Sequence, residues 1–356
     1  MSTVEPGERA LPLPPSRLPD TASHRLLVWL SRYREISIAA VAVALVAYFQ
    51  IGSGGTFLSG QFIGVVLRET GRLGLIAVAE VMLMITGEID LSLSSIFSLS
   101  PYLMSFMAAT FGLPLWIGAA IGLGLGVAVG FVNGIITVRL KVPSLIATVG
   151  TLFLLQGIVV SIYDSQPIMT PSQEPFSALL GESLADPSAV ATTWRTLTAF
   201  TPFAWAVLVV IALAIVLNRT AFGLHTVATG SNIVGAREIG VRTDRVKIAN
   251  FMIAGGLAAL AGIINTAQFG SADPQAGSPF LTLQAIAAAV IGGTSLLGGS
   301  GTVIGALIGA FVVASLNNGL VMVGTQATRS DIYLGIAITA AMILNVQVDR
   351  LRTRRR

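Results

Sequence analysis

Long apolar runs separated by short polar breaks set the pattern of this chain, and their lengths predict membrane-crossing helices. About 20 helical residues are needed to cross a bilayer. Runs of that order lie at residues 36–52, 114–138, 145–163, 199–217, 247–268, 281–297, 301–322 and 331–347. Two further spans are expected between the first two runs, where the pattern is least regular. There Arg68, Glu69 and Arg72 interrupt an apolar stretch and leave only residues 73–86 continuous. Gly87-Glu88-Ile89-Asp90 then breaks the pattern, and Asp90 is placed to cap the helix that begins LSLSS. A broken helix is tolerated at membrane depth only when buried in protein or lining a cavity. The break is therefore either a pathway element or an ordinary turn between spans two and three.

Glycine spacing adds a packing prediction. Gly118, Gly122, Gly126, Gly130 and Gly134 recur every fourth residue in the fourth span. Gly301, Gly305 and Gly309 do so in the ninth. Such rows make a smooth helix face on which another backbone can approach closely. Both helices end in Asn-Gly, at Asn133-Gly134 and at Asn317-Asn318-Gly319. With ten spans the two helices run in opposite directions, as two inverted five-span halves require.

Composition narrows the class. The chain has 356 residues, 54% of them apolar and only 11% charged, with mean hydropathy +0.82. Soluble domains carry about a quarter charged residues, so the expected fold class is an all-α polytopic membrane protein. Residues 1–35 form a proline-bearing tail expected to be disordered and cytoplasmic. Residues 36–348 form the membrane domain, and 349–356 a basic cytoplasmic tail. Absence of cysteine excludes disulfides and thiolate chemistry. The histidines, His24 and His225, both lie in polar regions, which leaves no His-based metal site within the membrane.

Charge placement orients the spans. With both termini inside, 17 of the 21 basic residues fall on the cytoplasmic side, in line with the bias of Lys and Arg towards that face. The net charge of +4 is then a loop bias, and nucleic acid is not an expected partner. The loop 164–198, with acidic Asp164, Glu174, Glu182 and Asp186, is expected outside. Residues 218–247 form the main basic island, where Arg219, Arg237, Arg242, Arg245 and Lys247 face only Glu238 and Asp244. Within it Ser231-Asn232 can cap a short helix, IVGAREIG, ending at Gly240. That helix is too short to span. It is either a solvated connector or a docking helix for a cytoplasmic partner.

The chemistry available is sparse. No G-x-x-x-x-G-K-[ST] occurs, so the chain shows no phosphate loop for ATP. Gly298-Gly299-Ser300-Gly301 matches the G-x-S-G of an intramembrane serine protease, but no membrane-embedded histidine accompanies Ser300 as base. Glu80 lies inside an apolar helix, where a carboxylate is costly and faces a bundle interior or a watery path. It is either a hydroxyl-binding or gating group or a structural hydrogen-bond partner. Asn265, Gln268, Asn317 and Asn318 suit interhelical hydrogen bonds. Collectively these uncharged polar groups suit a neutral, hydroxyl-rich solute better than an ion.

Four stretches carry a family resemblance: GEIDLSLSSI, LKVPSLIATVGTLFLLQGI, AREIGVRTDRVKIANFMIAGGLAALAGII and AIAAAVIGGTSLLGGSGTVIGALIGA…SLNNGL. Over residues 60–348 the chain resembles the ribose/xylose-type branch of ABC importer permeases. The resemblance implies a ten-span permease of a bacterial inner membrane, paired with a second copy or a paralogue. It implies a cytoplasmic ATPase holding the ATP and Mg, and a periplasmic or lipid-anchored sugar-binding protein. Residues 231–240 match the part that docks the ATPase, making Asn232, Gly235, Ala236, Arg237, Glu238 and Gly240 its candidate residues. Glu88, Asp90 and Ser92 match the I-D-L-S signature region and, with Glu80, Asn133, Asn265, Gln268, Asn317 and Asn318, are candidates for the translocation path or gate. The family often carries an acidic pair where this chain has Leu281-Thr282-Leu283-Gln284. A proton-coupled secondary transporter of a neutral solute, with Glu80 or Asp90 as proton carrier, is the alternative.

Overall fold

A computed structural model describes residues 34–162, 166–171, 176–180 and 200–326, together with 329, 332–336, 339–340 and 343. The expected N-terminal tail up to residue 33 and the basic C-terminal tail lie outside the described residues. So does most of the 164–198 loop, and the run 331–347 is described only in part.

Apolar run length sets most helix boundaries. They are α1 (Arg34–Gly52), α2 (Gly60–Ile85), α3 (Leu93–Phe111), α4 (Leu115–Val138), α5 (Ser144–Ile162), the short α6 (Phe176–Leu180) and α7 (Thr201–Arg219). After them come α8 (Ala221–Ser231), α9 (Ile233–Glu238), α10 (Thr243–Phe269), α11 (Pro279–Ile291) and α12 (Val303–Met322). A two-residue strand pair is the only sheet among the described residues: Ile168–Met169 lies antiparallel to Ser271–Ala272. Among the described residues, six helices are long and apolar enough to cross a membrane: α1, α4, α5, α7, α10 and α12.

The charges that interrupt the apolar run of span two do not interrupt its helix. α2 is one continuous helix through Arg68, Glu69 and Arg72, because Arg and Glu are good helix formers and Arg72 pairs with Glu69 one turn away at 2.5 Å. A Cβ on Gly71 would run into the Pro202 carbonyl at the start of α7. The first turns of α2 therefore extend past the end of α7, and the charges sit at that boundary. Below them residues 73–85 are buried on every side, as expected of a helix apolar all round. α2 is the central element, packed on α7, α10, α11 and α12.

The expected span 281–297 is also corrected. Its helix stops at Ile291, where Gly292-Gly293 begins a loop with left-handed glycines at 293, 298 and 299. α11 is thus only 13 residues long, about 20 Å. The segment before it lies against α3. There the Gly277 N–H donates to Ser98 Oγ at 2.7 Å, and the Ser94 carbonyl leaves no room for a Cβ on Gly277.

The glycine rows sit at close backbone contacts. On α4, Gly118 and Gly122 face the Met104 and Ser100 carbonyls of α3, while Gly126 and Gly130 face the Gly255 and Phe251 carbonyls of α10. On α12, Gly305 and Gly309 face Gly292 and Ala288, at and just beyond the end of α11. Gly301, in the loop before α12, faces Ile85 of α2 and Thr294. α4 runs towards the face that carries the α8–α9 hairpin, and α12 runs away from it.

Candidate functional site

The break between α2 and α3 is held by groups from four other helices. Thr86 closes α2, Gly87 takes φ +80°, and residues 88–92 run without helix until Leu93. Backbone amides released from a helix need other acceptors, and hydroxyls of neighbouring helices supply them. Ser144 Oγ accepts from the Ile89 N–H at 3.4 Å, and Thr148 Oγ1 from the Leu91 N–H at 3.1 Å, both from α5. Thr282 Oγ1 of α11 accepts from the Ser94 N–H at 3.0 Å. Ser95 Oγ donates to the Leu152 carbonyl of α5 at 3.0 Å.

Asp90, Ser92 and Asn133 come together, all fully buried. Asp90 Oδ1 accepts from the Ser92 N–H at 2.8 Å and from Ser92 Oγ at 2.6 Å. Asn133 Nδ2 on α4 donates to Asp90 Oδ2 at 3.1 Å and to Ser92 Oγ at 2.9 Å. Its Oδ1 accepts from Thr151 Oγ1 of α5 at 2.7 Å. The expected capping role of Asp90 is corrected by this geometry. Ser92 occupies the cap position, and Asp90 closes a turn two residues long while anchoring α4. Glu88 pairs with Lys247 of α10 at 2.5 Å, and only 12% of its side chain is exposed.

Glu80 lies about one and a half turns before the end of α2 and is completely buried. Neither carboxylate oxygen meets a donor at hydrogen-bond geometry, although the Asp90 backbone N–H and carboxylate lie within electrostatic range. A buried carboxylate without a partner is costly. The Asp90 backbone N–H is the group placed to serve the structural hydrogen bond, one of the two sequence readings.

The hairpin α8–α9 forms one face. Asn232 caps α9, its Oδ1 accepting from the Gly235 N–H at 2.9 Å, and Gly240 takes φ +88° to end the turn. Ser231 is the last residue of α8 and does not share the cap; its Oγ donates to the Val227 carbonyl at 2.8 Å. Ala236 points inward against Val241 and Val246, so it cannot meet a partner. Arg237 is engaged within the chain, donating to Thr243 Oγ1 and Asp244 Oδ1, each at 2.8 Å. Val234 and Ile239 stand 62% and 79% exposed instead, with Glu238 exposed beside them.

The hairpin's other side locks onto the bundle. The Gly299 N–H donates to the Ile85 carbonyl at 2.8 Å, and a Cβ on Gly230 would meet that same carbonyl. Asn250 of α10 donates to Thr226 of α8 at 3.3 Å. These contacts tie α8, the glycine loop and the end of α2 together.

Asn265 and Gln268 line a separate cleft of about 510 Å³ on the opposite face, with Arg68, Glu69, Arg72 and Pro202. Asn317 and Asn318 line no part of it. Asn318 donates to its own helix at the Ala314 carbonyl, 2.8 Å away. Sequence reasoning missed Ser144, Thr148, Thr151 and Thr282 as hydrogen-bonding partners, whose only signal is a hydroxyl on an apolar helix, and Lys247 as the partner of Glu88.

Residues 62–344 match the family described as branched-chain amino acid transport system / permease component. The xylose/arabinose import permease protein XylH of Sulfolobus acidocaldarius is 35% identical over 322 residues, 89% of this chain and 85% of that one. The autoinducer 2 import system permease protein LsrC of Photorhabdus luminescens is 37% identical over 290 residues, 81% and 83% of the two chains. LsrC of Salmonella choleraesuis is 34% identical over 321 residues, 90% and 88%. No solved structure matches significantly. The chain belongs to this family of ABC-type permease components, and is a multi-pass membrane transport subunit of the sugar-importer kind and not an enzyme.

Proposed function

We propose that the chain is the membrane path of an ATP-driven importer that carries a sugar or sugar-like polyhydroxy solute into a bacterial cell. The relatives named for xylose/arabinose and autoinducer 2 support that solute class. Two such chains, or this chain and a paralogue, enclose the path across a two-fold axis. A cytoplasmic ATPase holding ATP and Mg binds the α8–α9 face, and an external solute-binding protein delivers to the other. Both termini lie in the cytoplasm and ten spans form two inverted halves. That arrangement is supported by α4 packing on α3 and α10 while α12 packs on α11 and α2.

One observation carries the mechanism: the hairpin has an apolar, exposed front and a back packed on the end of α2, where Gly230 meets the Ile85 carbonyl and Ser231 the glycine loop. A partner gripping Val234 and Ile239 moves α8 and α9. The Gly299–Ile85 bond and the Lys247–Glu88 pair transmit that movement to the backbone segment held by Asp90, Asn133 and the hydroxyls. Small-residue contacts along α4 and α12 let helices slide with little side-chain rearrangement.

The test is uptake into proteoliposomes holding the permease and its ATPase, with either ATP or an imposed proton gradient as drive. ATP-dependent uptake of a radiolabelled pentose or of autoinducer 2, with none on the gradient alone, is expected. Gradient-driven uptake without ATP would establish the proton-coupled alternative through Glu80 or Asp90. Ile239→Glu and Gly235→Trp should each cut ATPase co-purification at least tenfold while leaving the amount of inserted permease unchanged.

A further inference from the structure

We infer that the arginine cleft beside the hairpin is a binding site for the phosphate headgroup of an anionic phospholipid. The cleft, about 280 Å³, is lined by Arg139 just past the end of α4, Arg237 on α9, and Arg242 and Arg245 at the start of α10. Four arginines from three segments of the chain thus line one space. The one carboxylate lining it, Asp244, is taken by Arg237 at 2.8 Å. Arg139, Arg242 and Arg245 are exposed and have no ion-pair partner among the described residues.

The depth of the cleft favours lipid over a protein partner. Gly134, five residues before Arg139, packs against Ile248, three residues after Arg245. The arginines therefore sit within about two turns of the apolar packing of α4 on α10, the distance at which the headgroups of a bilayer would flank that packing. Leu140, next to Arg139, is 67% exposed, and an apolar side chain there is matched by acyl chain and not by water. Basic pockets between helices at the cytoplasmic boundary are suited to anionic headgroups. Guanidinium forks bind phosphate oxygens in pairs. Only the choice of leaflet rests on the orientation proposed above.

The experiment is native mass spectrometry of the full-length permease in detergent, titrated with phosphatidylglycerol or phosphatidylcholine of equal chain length. Wild-type protein should retain phosphatidylglycerol at least tenfold better. The double variant Arg242→Gln/Arg245→Gln should lose phosphatidylglycerol affinity about thirty-fold, the loss expected of two juxtamembrane arginines. Its affinity for phosphatidylcholine should not change. Arg139→Gln, on a different element, should reproduce a smaller loss and guards against misfolding of the double variant, which helical circular dichroism also checks. Equal retention of the two lipids by wild type, or an unchanged preference in the variants, would overturn the inference. So would displacement of the lipid by low-millimolar inorganic phosphate, which would make this a free-anion site. Loss of ATPase co-purification with lipid preference intact would give the cleft to the protein partner. None of these readouts depends on transport, so the site and the import reading fail separately.

Discussion

Asn133 uses both ends of its carboxamide, donating to Asp90 and Ser92 and accepting from Thr151. Asn133→Leu keeps the volume and leaves a buried Asp90 oxygen without its side-chain donor. Loss of a hydrogen bond to a charged group costs about 2 kcal/mol, so thermal unfolding of the purified variant should begin several degrees lower. Glu80 presents a different case, its carboxyl group facing the Asp90 backbone N–H and the Asp90 carboxyl. Glu80→Gln keeps an oxygen that can accept from that N–H and relieves the crowding of two buried carboxyl groups. The variant should unfold at or above the wild-type temperature and keep ATP-driven uptake. Lost uptake at normal protein levels would show that the carboxyl group itself takes part in transport.

At the scale of the helix, neighbouring glycines of α4 differ sharply. A Cβ on Gly126 would meet the Gly255 carbonyl and Ala259, whereas one on Gly124 meets nothing within 4 Å. Gly126→Leu should therefore reduce folded permease in the membrane several-fold, and Gly124→Leu should leave it unchanged, both measured by fluorescence-detected size exclusion. This face was legible in the sequence because four-residue spacing is a local signal. Run length likewise announced α1, α4, α5, α7, α10 and α12. The partners of the α2–α3 break were not legible, since a hydroxyl such as Thr148 or Thr282 has no local mark of what it will accept. α11 was drawn too long because Leu296 and Leu297 continue the apolar pattern past the glycines that end the helix. Ala236 was misplaced for a related reason: smallness suits a partner contact and an internal one equally, and only Val241 and Val246 decide between them.

Across the whole molecule, the pair Glu88–Lys247 joins the break to the first turns of α10, and so to the loop that follows the hairpin. Glu88→Lys or Lys247→Glu alone should leave two like charges in a largely buried position and abolish solute-stimulated ATP hydrolysis, with basal hydrolysis by the bound ATPase retained. The double charge reversal should restore stimulation in part, because the attraction returns with its polarity inverted. Restoration absent in the double variant, with both proteins folded, would mean that the two residues act separately.

The hydroxyl-capped break also constrains the order in which this protein can be made. The Ser94 amide waits for Thr282, 188 residues further along the chain, and the Ile89 and Leu91 amides wait for α5. A nascent chain that has released α2 and α3 from the insertion machinery carries backbone amides whose native acceptors are not yet made. Early spans must therefore be sheltered, by the translocon or an insertase, until α11 arrives. Pulse-chase labelling should show chains ending at residue 278 degraded several-fold faster than the full chain. Biogenesis, as much as transport, then draws on one threonine near the start of the 13-residue α11.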